Sequence, residues 1–225
     1  SMYSLEACPL LGSVEKWQFF TDVHNNIDGT ETRFSLADYS KQSFSNQYLF
    51  KDNSMLNDLY THLNDEFSIR VPFESEIIAA YVQGDIQVAY NSKYIVASID
   101  FYNKAPYFYD IEPATLDKGH FARCVLLNSD TFDVEYVSDK TFHTGFSATI
   151  LYSKWKKKRF NLRVVIRGVA DYKAFKRWLF DLKGRYSSFT VDDLNLTVRL
   201  DSDIIELRAL GANLFECILP VVTVL

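Results

Sequence analysis

The residues best suited to ligate a metal or supply a nucleophile are four histidines, His24, His62, His120 and His143, and three cysteines, Cys8, Cys124 and Cys217. No two of them stand at the short spacing by which zinc ligands reach one ion. His24 near Asp22 is a candidate base and orienting acid. It is set aside on the expectation that the strand turns the two side chains to opposite faces. Asp192-Asp193 and Asp201-Ser202-Asp203 offer carboxylate oxygens of the kind calcium takes, but the sets are small and read better as turns. The 8 glycines are dispersed, and none opens a helix in a phosphate-binding fingerprint. Sequence therefore points to no catalytic, metal or cofactor-binding residues, and to a chain that binds or builds rather than one that catalyses.

The elements around these residues are organised by one stretch, Phe160 to Val191. Phe160 to Arg167 alternates and then runs apolar, as a half-buried strand does. From Asp171 to Leu182 the period changes: Tyr172, Phe175, Leu179 and Leu182 share one helical face. Gly184 stands where a left-handed C-terminal cap is expected, and Tyr186 to Val191 restarts as a strand. An earlier passage has the same pattern. Phe44 to Lys51 reads as a strand, Asp52, Asn53 and Ser54 offer N-cap side chains, and Leu56, Leu59, Tyr60 and Leu63 form an apolar stripe. Leu56, Leu59 and Leu63 match Tyr172, Phe175 and Leu179, and His62 matches Trp178 as a packing or surface residue. Either the unit is duplicated, or two amphipathic strand–helix–strand passages share a period.

Length and composition bound the rest. A chain of 225 residues suits two small fused domains, or one with an insertion. The expected fold class is α+β, mostly β, with a first half over 2–75, an inserted β-strand region over 76–112 and a second half over 113–225. Aromatics make up 16% of the chain, enough for a β-rich core and for subunit contacts as well. The net charge of −5 argues against wholesale nucleic-acid binding. The run Lys154, Lys156, Lys157, Lys158 and Arg159, broken by Trp155, reads as a solvated turn between strands. Three widely spaced cysteines fit reduced thiols and a cytoplasmic site of synthesis. No apolar run is long enough to span a membrane.

In chain order, Thr21-Asp22-Val23, the turn Asn25 to Gly29, and Glu31 to Phe34 form an expected hairpin, with Asp22 facing Arg33 across it. Strands are expected over 76–81, 86–90, 94–101 and 107–111, then a connector over 113–119 and a hairpin around 128–130. Further strands are expected over 194–200 and 204–209. The last, Leu214 to Leu225, lacks a polar tail and is expected to close a sheet or pair with another subunit through Leu214, Phe215, Ile218 and Leu219.

Trp17, then Thr21-Asp22-Val23, then Gly29, Glu31 and Arg33 resemble the N-terminal signature of a tail-tip family in long-tailed bacteriophages and gene-transfer particles. Phe175 to Leu179 followed by Gly184-Arg185 and Phe189 resembles the helix and Gly-Arg turn of the same proteins. Trp17 stands two residues further from Thr21 than the pattern has it. The resemblance touches about a third of the chain. It implies a virion structural protein, a distal-tail ring or baseplate hub, built from tail-tube-like β-sandwich or split-barrel units. It further implies a homo-oligomer, trimer or hexamer, assembled in the host cytoplasm, which contacts tail-tube and other tail-tip proteins and meets DNA only in transit. The competing expectation is a carbohydrate- or ligand-binding β domain that stacks sugars on exposed Trp17, Trp155 or tyrosines.

Overall fold

The computed structural model describes residues 2–109 except 6 and 27, the strand segments 125–126, 133–135, 138–143 and 146–151, and residues 157–224. Ten elements form the first part of the chain. They are β1 (Cys8–Pro9), β2 (Val14–Gln18), β3 (Thr21–Asn25), β4 (Glu31–Ser35), β5 (Lys41–Phe50), α1 (Asn53–Thr61), β6 (Phe67–Arg70), β7 (Ile77–Val82), β8 (Gln87–Tyr90) and β9 (Ile95–Asn103). Ten more follow: β10 (Val125–Leu126), β11 (Asp133–Glu135), β12 (Ser138–His143), β13 (Phe146–Leu151), β14 (Lys157–Arg167), α2 (Val169–Leu182), β15 (Ser188–Val191), β16 (Leu196–Leu200), β17 (Ile204–Gly211) and β18 (Leu214–Thr223).

The two sets pair in the same way. In the first, β5 pairs β9, β9 pairs β7 and β8, and β7 pairs β6. In the second, β14 pairs β18, β18 pairs β16 and β17, and β16 pairs β15. The leading strands follow suit: β1 and β2 pair β5, β10 and β11 pair β14, and β3–β4 and β12–β13 are separate hairpins. Every one of these pairings is antiparallel, and each helix follows the long strand of its repeat.

Equivalent pairs put like residues opposite one another. Phe44 faces Phe101 as Phe160 faces Val221, Phe67 faces Ala80 as Phe189 faces Val198, and Val88 faces Ala97 as Leu207 faces Cys217. Alternation sends these side chains to one face of the sheet, where each helix covers them. Leu56 and Leu59 of α1 pack with Phe44, Phe50, Ile69 and Phe101, and Tyr172, Phe175, Leu179 and Leu182 of α2 pack with Phe160, Phe189 and Phe215. The Asp52 carboxylate caps α1 by accepting from the Met55 amide at 3.1 Å. At the end of α2, Lys183 and Gly184 both take left-handed backbone angles, φ 53° and 66°.

The residues read as an inserted region, 76–112, supply β7, β8 and β9, and these belong to the first repeat. Ile78, Ala80, Ile95, Ala97, Ile99 and Phe101 are buried in its core. Alternation reveals a strand but not its neighbours, which is why the sequence set this stretch apart. Tyr107, expected to open a strand, makes an isolated bridge to Ser40 instead. The hairpin expected around 128–130 is not formed by its described strands: β10 and β11 each pair β14 and not each other, while the turn itself, the 113–119 connector, Cys124, His120 and Trp155 lie outside the described residues. No helix among the described residues is long and apolar enough to cross a membrane.

One strand unites the halves. β2 pairs β5 along one edge and β17 along the other, so a continuous sheet runs from the first repeat into the second.

Candidate functional site at the joint between the repeats

The polar residues of interest converge where the first repeat meets the second. At the outer end of the joint, Asp203 stands in the turn between β16 and β17. Its carboxylate accepts from the Thr21 amide at 3.1 Å, the Arg185 amide at 3.0 Å and the Arg185 guanidinium at 3.1 Å. Arg185 also donates to the Thr21 carbonyl at 2.6 Å, and the Thr21 hydroxyl donates to the Lys183 carbonyl at 3.0 Å. Gly184 is required here on two counts. Its φ of +66° lies in the left-handed region, and a Cβ would stand 2.4 Å from an Asp203 oxygen and 2.8 Å from the Phe19 Cβ.

The hairpin β3–β4 reaches across to the second repeat through Glu31, whose carboxylate accepts from Arg199 Nε at 2.7 Å, Arg199 Nη2 at 2.8 Å and Lys157 at 2.6 Å. The side chains of Glu31, Arg199 and Lys157 are all nearly enclosed. Burial alone would raise the Glu31 carboxyl, but the hydrogen bonds from Arg199 and Lys157 outweigh it and hold it at about 2. Arg199 and Arg159 also pair with Asp201. Burial lowers the neighbouring Arg33 guanidinium from its ordinary value.

Deeper in the joint lies a buried cation. Lys176 of α2 has no exposed surface, and its ammonium meets Glu15 at 3.0 Å, the Tyr107 hydroxyl at 2.7 Å and Glu74 at 3.3 Å. The rings of Tyr109, Tyr107, Trp17 and Tyr172 surround it at 4.6, 5.0, 5.3 and 5.9 Å. Glu15 is fully subscribed, accepting from Trp17, Gln42, Lys176 and Tyr172. Burial, reinforced by the Glu15 charge, pushes the Tyr107 and Tyr172 phenols far above their usual range. Neither phenol is poised to ionise: the Tyr172 hydroxyl donates to Glu15, and the Tyr107 hydroxyl accepts from Lys176.

Several sequence expectations are corrected at this joint. Asp22 does not face Arg33; the register sets Asp22 against Phe34 and Val23 against Arg33. Asp22 instead meets His24 at 3.0 Å, because residues two apart on a strand share a face. Both side chains are more than half exposed, and the pair is a surface contact. The basic run is no solvated turn where it is described: Lys157 is buried on Glu31, and Arg159 pairs with Asp201. Trp17, one of the residues on which the carbohydrate reading would stack a sugar, is completely enclosed. Leu214, Phe215, Ile218 and Leu219 sit on β18, a central strand paired by β14 and β17, with Phe215 and Leu219 buried and Ile218 half exposed. That strand is docked within the sheet, the first of the two alternatives expected for it.

The structure brings Trp17, Thr21, Glu31, Gly184 and Arg185 to the joint, and leaves Gly29 to the hairpin turn at φ 88°. The sequence marks neither Glu15, Lys176 nor Arg199, and it reads Asp203 and Lys157 only as part of an acidic turn and of a basic run. Lys176 carried a signal, since it lies one helical turn past Tyr172 on the apolar face of α2. Among the described residues, no group of three or more His, Cys, Asp or Glu side chains is placed to hold a metal ion. In comparison with known proteins, no family model and no curated protein matches the chain.

Proposed function

We propose that this chain is a structural protein of a bacteriophage tail tip, a distal-tail ring or baseplate-hub subunit that self-assembles and joins the tail tube to tip or fibre proteins. The observation that carries the reading is the meeting of Thr21 with Gly184-Arg185. These two fragments of the tail-tip-like pattern lie 164 residues apart and share one carboxylate, Asp203. A pattern split in this way makes physical sense when it specifies how one unit docks on the next. On this reading each repeat is a tail-tube-like split barrel or sandwich, and the protein is not an enzyme.

The duplication gives the assembly a physical sense. Three chains carry six near-equivalent units, the arrangement that would match a sixfold tube to a threefold fibre, whereas six chains would serve a distal-tail ring. The net charge of −5 suits a lumen through which DNA passes without sticking. Light scattering across a concentration series, followed by electron microscopy of the protein mixed with tail-tube protein, tests the reading. A trimer or hexamer that caps tubes is the expected result. A monomer at every concentration that leaves tubes uncapped, or a strongly basic channel in the ring, would overturn it.

A further inference from the structure

We propose that chains join head to tail by pairing the outer edge of β8 in one copy with the outer edge of β11 in the next, so repeating the internal joint between β17 and β2. The proposal rests on the self-assembly in the reading above, and not on the tail-tip assignment.

The pairing pattern leads there directly. β17 and β8 are equivalent strands, as are β2 and β11. Within the chain, β17 and β2 satisfy each other from Ile204 to Arg208. Among the described residues, β8 pairs with β9 alone and β11 with β14 alone. Among the described residues, the two edges that carry no partner strand are thus the two halves of a joint the molecule has already made once. Open edges of this kind attract a further strand.

Burial differs between the repeats in the manner this joint requires. Lys157 and Val222 are buried in the second repeat, where Asn25 and Glu31 of the β3–β4 hairpin bind Lys157. Their equivalents Lys41 and Tyr102 are exposed in the first, and Tyr81 is only half-buried where Arg199 is enclosed. On the opposite flank the relation reverses: Gln42 is buried beside β2, and its equivalent Lys158 is exposed beside β11. One copy thus bares a covered position at one end and another at the other end. A second copy in the same relation would cover both. Repetition of a heterologous contact gives a ring if its rotation closes and a filament if it does not.

The internal register sets the external one. Lys16 faces Ser43 on one side and Glu206 on the other. Ser43 and Arg159 are equivalent, so Asp133, which faces Arg159, takes the place of Lys16. Gln87 takes the place of Glu206, being next to Val88 as Glu206 is next to Leu207. Gln87 of one copy is therefore expected opposite Asp133 of the next.

Cysteine cross-linking tests this in full-length protein with Cys8→Ser and Cys124→Ser; Cys217 is buried and stays. A Gln87→Cys chain is mixed with an Asp133→Cys chain and treated with a mild thiol oxidant, after unaltered melting curves show that each is folded. Directly opposed residues fall within disulfide reach, so the mixture should give at least about tenfold more linked dimer than either chain alone or the offset pair Ala89→Cys with Asp133→Cys. Lys16→Cys with Glu206→Cys in one chain is the positive control, because those side chains already touch at 3.0 Å. Oligomers without the Gln87–Asp133 link would overturn the edge assignment while leaving self-assembly standing. Absence of both oligomers and link would overturn the two together.

Discussion

Lys176 shows how much a single residue can commit a fold to one arrangement. Its ammonium is removed from water and satisfied by two carboxylates, a phenol and four ring faces drawn from β2, the β6–β7 turn, the stretch after β9, and α2 itself. Lys176→Met keeps much of the volume and removes the charge, leaving Glu15 and Glu74 buried without their cation. Breaking such a pair costs about 3–5 kcal/mol. Urea unfolding should show this loss, and adding Glu15→Gln should recover part of it, since the second change removes the stranded charge. Glu31 makes a different prediction. Its folded carboxyl sits near 2, below the ordinary value of 4.5, so its contribution is complete above about pH 4.5 and disappears as pH falls through about 2. Melting temperature measured over that window should drop with acid in the wild type. In Glu31→Gln this component of the slope should vanish, with a lower starting stability at neutral pH because Arg199 and Lys157 lose their acceptor.

At the level of elements, the α2–β15 turn shows where sequence reading succeeds and where it stops. Gly184 could be read from its place after an apolar helical face, and so could the strand that follows, because both signals are local. What Gly184 touches could not be read: Asp203 arrives from the turn between β16 and β17, and Phe19 from beyond β2. Gly184→Ala must therefore force apart two strands' connections as well as strain its own backbone. We expect a loss of about 1–3 kcal/mol in chemical denaturation, larger than a cap glycine alone would give. Asp203→Asn should cost less, since an amide oxygen still accepts while the ion pair with Arg185 is lost. The same distinction explains the hairpin β3–β4. Its turn and strands are local and legible, but nothing local says that Glu31 meets Arg199, 168 residues away. Charged residues that meet only through tertiary structure leave no period in the sequence, whereas the apolar faces of α1 and α2 do.

For the whole molecule, the two repeats are not two independent domains. Trp17, Phe19, Tyr107 and Tyr109 come from the first repeat and its trailing chain, yet they are buried in the core of the second. Interlocked cores with a shared strand, β2, should unfold together. Cys217 reports on the second core directly, because it is fully buried and burial raises its thiol well above the ordinary value. In the Cys8→Ser, Cys124→Ser background, unfolding followed by Cys217 labelling and by far-ultraviolet circular dichroism should give coincident transitions. Trp17→Ala removes the largest interlocking side chain together with a donor to Glu15, at a cost of about 3–5 kcal/mol. The loss falls on the joint, so the two probes should then separate, with part of the sheet signal lost before Cys217 becomes reactive. The first repeat has the smaller core and is the part expected to go first. Coincident probes in Trp17→Ala would show that the continuous sheet alone couples the halves; separated probes would place the coupling in the aromatic and polar contacts that the joint encloses.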